Sequence, residues 1–307
     1  MEEKSKAGSV VIGELECIIS EPARLAEGPI WVSSENKLIW VDIQGKKLHI
    51  WDSASKKDTA YEMGEMIGAA APIKDGKVLV ALERKISIFD PKDSTQTIVI
   101  DLGKEVEGTR LNDGKCDNRG RFLVGSMDLD EDSGIKRGKF YRLDRDGKIT
   151  QLLDGVGISN GLDWSLNDDI MYYTDSPTLE ISAFTFDAEK GEISDRRTAI
   201  KLEKDWGFPD GCTMDSEGKL WVACFSGSSV RRFDPATGEL LEVLKVPVKH
   251  VTSVCFGGED HQTLFITTSR HKLSEEEAKA NPLAGCVFAV KTKVKGRTQK
   301  VDFEKEF

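Results

Sequence analysis

The amino-acid sequence predicts an all-β fold, a six-bladed β-propeller in which residues 1–307 form a single domain. Three observations support this prediction: a repeat of strand-like segments, a turn pattern inside each repeat, and an unassigned strand near the N-terminus. The repeat has a period of 42 to 50 residues, and a period of about 45 residues built from short strands is typical of propeller blades. Its six units begin at Glu27, Ala70, Asn112, Asn160, Asp210 and Thr252.

Each unit continues with further apolar segments. The second segment, for example residues 220–224, is a near-continuous apolar run, which suits a strand buried on both faces between neighbouring blades. The turn before it, residues 215–218, has hairpin chemistry because Asp starts the turn and Gly supplies a positive φ. The third segment, for example residues 183–187, ends with Asp in five of the six units. A weaker fourth segment, for example residues 240–244, completes a four-stranded blade.

The sixth unit lacks an outer strand of its own, whereas residues 14–19 carry a strand pattern before the first unit begins. We therefore predict that this N-terminal strand pairs with the last blade and closes the ring, which removes an open sheet edge. A second feature, residues 274–280, begins like a capped helix. Because it is short, we interpret it as a loop insertion.

Composition narrows the partners and the compartment. The chain has 43 Lys and Arg against 53 Asp and Glu, a net charge of −10, which disfavours binding to the phosphates of nucleic acids. No apolar run resembles a signal peptide or a membrane span, so we expect no membrane partner and a cytoplasmic protein. We also expect a monomer or a weak dimer. The six cysteines show no CxxC pairs, and we interpret them as reduced core residues.

The candidate site lies among the first residues of the six units, because equivalent positions of different blades meet at the axis of a propeller. Glu27, Asn160 and Asp210 would bring two carboxylates and an amide oxygen together. Hard divalent cations such as Ca²⁺, Mg²⁺ and Mn²⁺ prefer such oxygen ligands, and two facing carboxylates repel each other without one. Taken singly, each residue could simply start a strand or an Asx turn; the combination favours a metal site.

Two further groups are candidates for binding a ligand above the metal. Arg110 and Asn112 alternate along one strand and therefore face the same way. The acidic run at residues 128–132 follows the second strand of the same blade, and we interpret all but one of its carboxylates as solvated. We expect the loops at residues 61–69 and 128–138 to form a lid that sets substrate size.

Several segments resemble the senescence-marker, gluconolactonase and luciferin-regenerating family, the regucalcin-like proteins. They occur in the family's order over nearly the whole chain: Glu-Gly-Pro-Ile-Trp at 27–31, Arg-Leu-Asn-Asp-Gly-Lys at 110–115, Ile-Ser-Asn-Gly-Leu-Asp-Trp-Ser at 158–165, Pro-Asp-Gly at 209–211, Gly-Lys-Leu-Trp-Val-Ala at 218–223 and Val-Thr-Ser-Val-Cys-Phe-Gly-Gly at 251–258.

The resemblance implies one divalent cation in the channel, with ligands at Glu27, Asn160 and Asp210. Ca²⁺ is favoured, with Mg²⁺, Mn²⁺ and Zn²⁺ as alternatives. It also implies that Asp210 is the catalytic acid or base and that Arg110 and Asn112 hold a sugar lactone. The family's substrate-binding glutamate corresponds to Asp130, whose side chain is one methylene shorter.

The expected function is therefore divalent-metal-dependent hydrolysis of sugar lactones. Either Asp210 or the cation would activate the attacking water. No histidine begins a unit, which argues against a serine-triad hydrolase. Three alternatives use the same fold: a non-enzymatic calcium-binding regulator, a luciferin-regenerating or organophosphate-type ester hydrolase, and a peptide-binding scaffold. The scaffold would leave the oxygen donors unexplained.

Overall fold

A computed structural model describes residues 8–297 and 302–303 of the chain. These residues form six four-stranded antiparallel sheets arranged as blades around a central channel. The prediction of a six-bladed β-propeller is confirmed. The N-terminal strand β1 (Glu16–Ile19) joins the last blade by pairing with its third strand, so the predicted mode of ring closure is confirmed as well.

Each of the first three blades runs from the channel outwards in chain order. Blade 1 consists of β2 (Ala26–Val32), β3 (Lys37–Asp42), β4 (Lys47–Asp52) and β5 (Lys57–Glu62). Blade 2 consists of β6 (Ile67–Pro72), β7 (Val78–Leu82), β8 (Lys85–Asp90) and β9 (Thr95–Asp101). Blade 3 consists of β10 (Thr109–Cys116), β11 (Phe122–Asp128), β12 (Gly138–Leu143) and β13 (Ile149–Val156).

The second half of the ring repeats this order, except that the outermost strand of blade 6 comes from the N-terminus. Blade 4 consists of β14 (Ser159–Trp164), β15 (Ile170–Asp175), β16 (Glu180–Asp187) and β17 (Glu192–Lys201). Blade 5 consists of β18 (Phe208–Met214), β19 (Leu220–Phe225), β20 (Ser229–Asp234) and β21 (Glu239–Lys245). Blade 6 consists of β22 (His250–Gly257), β23 (Thr263–Ser269), β24 (Val287–Lys291) and β1.

The hydrophobic core is divided into layers between neighbouring blades. One buried cluster joins blades 4 and 5 through residues such as Ile181 and Val222, and another joins blades 2 and 3 through Leu79 and Phe122. The two inner strands of each blade are almost wholly buried because both of their faces contact a neighbouring blade. The near-continuous apolar pattern of the second strands, such as β7 and β19, follows from this burial.

The helical segments lie in loops. Residues 274–280, which we interpreted as an insertion, contain a short α-helix, α1 (Glu275–Ala280), which begins with a capping box between Ser274 and Glu277. The described 3₁₀ turns are Lys74–Gly76, Gly103–Val106, Ser176–Thr178 and Lys204–Trp206. None of the helices in the described part of the chain is long and apolar enough to cross a bilayer.

The six cysteines all lie in the described part of the chain and carry free thiols. Five of them are buried, as expected for reduced core residues, but Cys17 on β1 is exposed to solvent.

Candidate metal and substrate site

A cavity of about 440 Å³ opens at the end of the channel where the innermost strands begin. It is lined by five of the six predicted site residues, which come from four blades: Glu27, Arg110, Asn112, Asn160 and Asp210. Each of these side chains is buried. The structure therefore brings together residues that lie far apart in the sequence.

A β-bulge in each innermost strand directs these side chains. The register shifts directly after Glu27 in β2, after Asn160 in β14 and after Pro209 in β18. A bulge bends the strand and turns a side chain away from the regular alternation. Glycine next to the bulge allows close approach of the next blade: a Cβ on Gly161 would lie 2.3 Å from the backbone oxygen of Asp210.

Glu27 and Asp210 face each other in the channel with little compensating positive charge. Burial, followed by the nearby Asp113 charge, raises the pKa of Glu27 to about 8. Burial and then the Glu27 charge raise the pKa of Asp210 well above its ordinary value. The Oδ1 atom of Asp210 is buried without a hydrogen-bond partner among the described residues. Ionisation of both carboxyl groups is therefore unfavourable unless a positive charge lies between them.

Hydrogen bonds fix the amide of Asn160 beside these carboxylates. Its Nδ2 donates to Ser176 Oγ at 2.8 Å, and Ser176 Oγ in turn donates to the Pro209 carbonyl at 2.7 Å. Asn160 Oδ1 accepts a hydrogen bond from Asn112 Nδ2 at 3.0 Å. Since a carbonyl oxygen has two lone pairs, Oδ1 retains one for a further partner.

Arg110 and Asn112 form one rigid unit at the side of the cavity. Arg110 Nη1 donates to Asn112 Oδ1 at 2.6 Å, and Asn112 Nδ2 donates to the Ser159 carbonyl at 2.8 Å. Arg110 Nη2 lies 3.8 Å from Glu131 Oε1. Burial lowers the pKa of Arg110, and the Glu131 and Glu27 charges oppose that effect. The guanidinium therefore presents a fixed positive group to the cavity.

Asp130 lies outside this site. Its side chain is exposed on the loop after β11, and it does not line the cavity. The next residue, Glu131, lines the cavity instead and contacts Arg110. The loop leaves β11 with a tight turn, because the Asp130 backbone N–H donates to Asp128 Oδ1 at 2.9 Å, and this turn directs Glu131 inwards.

The sequence analysis did not identify Glu131 or its partners. Glu131 Oε2 lies 3.0 Å from His271 Nε2 and 3.4 Å from Lys272 Nζ. Although burial opposes the shift, the His271 hydrogen bond and the Arg110 and Lys272 charges lower the pKa of Glu131 to about 2. His271 Nδ1 lies 2.8 Å from Gln44 Nε2.

These contacts connect loops of blades 3, 6 and 1 across the mouth of the cavity. Of the two loops that we expected to form a lid, residues 128–138 contribute Glu131, Asp132 and Gly134 to the lining, whereas residues 61–69 contribute none. The only sequence signal for this arrangement was the acidic run, which did not indicate which carboxylate turns inwards.

Below the site, a separate ion-pair group occupies the channel. Lys115 Nζ donates to Asp163 Oδ2 at 3.0 Å and to the Cys212 carbonyl at 3.1 Å. Arg297 Nη1 lies 3.4 Å from Asp163 Oδ1. Lys115 thus forms its ion pair with Asp163. Its charge therefore does not neutralise Glu27 and Asp210.

Glu27, Asn160 and Asp210 fit a divalent cation. Two buried carboxylates, an unpartnered Asp210 Oδ1 and a fixed Asn160 Oδ1 form a hard oxygen donor set with few ligands. Clusters of three or more His, Cys, Asp or Glu that could hold a metal are absent from residues 8–297 and 302–303. A cation here would therefore depend on the amide oxygen and on water as additional ligands.

Comparison with known proteins places this geometry in a family. Residues 25–270 match the profile of the "SMP-30/Gluconolactonase/LRE-like region". The chain belongs to this family. Regucalcin from Danio rerio is 39% identical over 277 residues, which cover 90% of this chain and 94% of that protein. The resemblance inferred from the motifs is confirmed.

Solved structures of family members have the same fold. A luciferin-regenerating enzyme superposes with a TM-score of 0.88 at 30% identity, covering 95% of this chain and 100% of that one. A calcium-binding protein, regucalcin, from Agrobacterium tumefaciens superposes with a TM-score of 0.89 at 27% identity, covering 96% of this chain and 99% of that one. These two similar structures are thus one protein named as an enzyme and one named for calcium binding.

Proposed function

We propose that this protein hydrolyses sugar lactones with the help of one divalent cation bound by Glu27, Asn160 and Asp210. The observation that carries the proposal is the pair of buried, facing carboxyl groups with an unpartnered Asp210 Oδ1, directly beside the Arg110–Asn112 unit. The family and the calcium-binding regucalcin neighbour support the metal. Ca²⁺ is the ion we expect, because the donor set contains only oxygen.

Lactone hydrolysis requires a positioned carbonyl and an activated water. A bound cation would supply Lewis-acid polarisation of the carbonyl. Arg110 and Asn112 orient the lactone, since both present hydrogen-bonding groups from one side of the cavity. The Asp210 oxygen that the cation leaves free can accept a proton from the attacking water, whose oxygen adds to the carbonyl carbon while the ring C–O bond breaks. Asp210 then gives this proton to the ring oxygen, and the product is the open hydroxy acid.

We also propose that Glu131, and not Asp130, contacts the substrate. Glu131 lies in the cavity and its low pKa keeps it ionised, so it can accept hydrogen bonds from sugar hydroxyls.

The test is a panel of sugar lactones and simple esters, assayed after chelation and again after separate addition of Ca²⁺, Mg²⁺, Mn²⁺ or Zn²⁺. We expect lactone hydrolysis that disappears on chelation and returns with a divalent ion. Asp210→Asn preserves the side-chain shape. It should reduce the rate of hydrolysis by at least about 100-fold, and it should also remove the metal-induced rise in melting temperature.

Two results would favour the alternatives. A metal-induced rise in melting temperature without turnover of any lactone would indicate a calcium-binding regulator. Turnover of esters or organophosphates with no turnover of lactones would keep the metal site and change the substrate class. Full lactonase activity in Asp210→Asn would remove Asp210 from the reaction.

A further inference from the structure

The strand that closes the ring brings two cysteines to the same place. Cys17 on β1 pairs with Phe288 of β24, and Cys286 precedes Phe288 by two residues. Residues two apart in an extended chain point to the same face. Both cysteine side chains therefore lie on one face of the junction between the N-terminal strand and blade 6.

The two sulfur atoms approach the same short piece of backbone. Cys17 Sγ lies 3.5 Å from the Ile19 carbonyl oxygen, and Cys286 Sγ lies 3.6 Å from the carbonyl oxygen of Ser20. Ile19 and Ser20 are consecutive residues. Cys17 is also near enough to contribute to the raised pKa of Cys286. A β-bulge between Cys17 and Ile19 interrupts the strand at this point.

The surroundings of the two thiols differ. Cys17 is exposed to solvent, whereas Cys286 has only 1% of its surface exposed. Dissolved reagents can therefore reach Cys17 first, while Cys286 is protected and positioned to react second. An exposed thiol next to a resolving cysteine is the usual arrangement of a reversible oxidation site.

We propose that Cys17 and Cys286 are an oxidation site at which a hydroperoxide joins β1 to blade 6 through a disulfide bond. The Cys17 thiolate attacks the peroxide, so that an S–O bond forms, the O–O bond breaks and hydroxide leaves. The sulfur of Cys286 then displaces the oxygen of the resulting sulfenic acid, and the Cys286 proton leaves with it as water. Cysteine loses two electrons overall, and the peroxide gains them.

The disulfide would resist reduction once it has formed. An external thiol can reach only the exposed Cys17 sulfur, so Cys286 would be the leaving group. Burial, followed by the neighbouring Cys17, raises the pKa of Cys286 to about 12. Thiols of high pKa leave slowly in thiol–disulfide exchange. The oxidised form should therefore persist.

The bond would act on the whole ring. β1 is four residues long and pairs with β24. A covalent bond between residues 17 and 286 would enclose nearly all of the propeller in one loop, and long closed loops restrict the unfolded chain strongly.

The experiment treats the full-length protein with hydrogen peroxide, blocks the remaining thiols by alkylation and analyses the peptides by mass spectrometry. We expect a peptide pair linked through Cys17 and Cys286 that lacks two hydrogen atoms, and a melting temperature higher by about 5 °C. Cys17→Ser should abolish both effects. Cys116→Ala, which removes a buried thiol of the cluster between blades 2 and 3, should retain them.

A second measurement equilibrates the protein in mixtures of oxidised and reduced glutathione, which leave methionine intact. The same linked peptide should form. Sulfinic acid at Cys17 without a linked peptide, or glutathione bound to Cys17 without resolution by Cys286, would overturn the proposal. No part of this experiment depends on lactonase activity or on a metal ion.

Discussion

Asp130 and Glu131 are adjacent in the chain and chemically alike, yet their surroundings differ. Asp130 is exposed, whereas Glu131 lies in the cavity and contacts Arg110 and His271. Ionised groups form the stronger hydrogen bonds to a ligand. This neighbouring pair therefore offers a matched test of which carboxylate recognises the substrate.

We predict that Glu131→Gln raises KM for a lactone about tenfold, because a hydrogen bond to a charged group contributes about 1.5–3 kcal/mol. The turnover number should change less than KM, since Glu131 is proposed to bind the substrate and not to transfer the proton. Asp130→Asn should leave both constants unchanged. Steady-state kinetics of the two variants provide the measurement. A larger effect of the Asp130 variant would reassign the contact to that residue.

His250 is a second residue with an informative environment. It begins β22, is buried, stacks on Phe225 with ring centroids 4.3 Å apart, and lies 3.1 Å from Ser226 Oγ. Burial, followed by the positive charge of Lys249, lowers the pKa of His250 to about 4. The ring is therefore neutral in the folded protein at pH 7.

This depressed pKa predicts a loss of stability in acid. In the unfolded chain His250 is protonated below the ordinary histidine pKa of about 6.5. In the folded protein it is protonated only below about pH 4, so the unfolded state binds more protons between these two values. Stability should therefore fall as the pH decreases through this window. In His250→Phe the decrease in unfolding free energy between pH 7 and 4.5 should be smaller by roughly 1–3 kcal/mol.

The measurement is urea denaturation at both pH values. His261→Asn is the control, because His261 is only partly buried and Asn tolerates its positive φ of 56°. An unchanged pH dependence in His250→Phe would show that His250 is protonated equally in both states.

At the scale of the elements, the six blades could be predicted because their inner strands give two signals. The second strand of a blade is buried on both faces and forms a near-continuous apolar run, as in β7 and β19, and most innermost strands carry a polar residue near the bulge, as at Asn160 and Asp210. Positions at the start of such strands converge at the axis by symmetry. The spacing of the units in the sequence was therefore enough to predict that Glu27, Asn160 and Asp210 lie close together.

The loops around the mouth could not be predicted in the same way. No periodic pattern indicates that residue 131 rather than 130 turns inwards. The direction of the Glu131 side chain is set by the tight turn at Asp128. His271 and Lys272 reach the cavity from a loop of the opposite blade, and only the assembled ring shows that this loop faces Glu131. Contacts between loops distant in sequence leave no local signal.

The loop between β11 and β12 is held over the cavity by Lys272, whose Nζ lies 2.8 Å from Asp132 Oδ1 and 3.4 Å from Glu131 Oε2. We predict that Lys272→Ala loosens this loop and increases amide hydrogen exchange in residues 129–136. The matched control is Lys279→Ala on α1, where the ion pair to Glu275 is exposed and 3.9 Å long. Equal exchange in both variants would show that Lys272 does not hold the loop.

At the scale of the whole molecule, the described C-terminal residues form a second closure of the ring. Gly296 bridges to Asp215 of blade 5, and Arg297 contacts Asp163 of blade 4. Phe303 bridges to Ile73, next to blade 2. These contacts lie at the end of the channel opposite to the candidate site, since Arg297 N–H donates to the carbonyl of Met214 at the end of β18.

Phe303 anchors this closure by inserting its ring into the cluster between blades 2 and 3, where only 1% of its surface is exposed. Removing a buried aromatic ring leaves a cavity that the surrounding side chains cannot fill. We therefore predict that Phe303→Ala lowers the free energy of unfolding by about 3 kcal/mol. Activity at temperatures below the transition should persist, because the candidate site lies at the other end of the channel.

Urea denaturation and lactonase assays of the same preparation test both parts of this prediction. Ile98→Ala is the control, since Ile98 is 55% exposed on the outer strand β9 and its loss should change stability by less than about 0.5 kcal/mol. Similar stability of the two variants would mean that the Phe303 contact adds nothing to ring closure. In that case the ring would depend on the pairing of β1 with β24 and on the packing between blades.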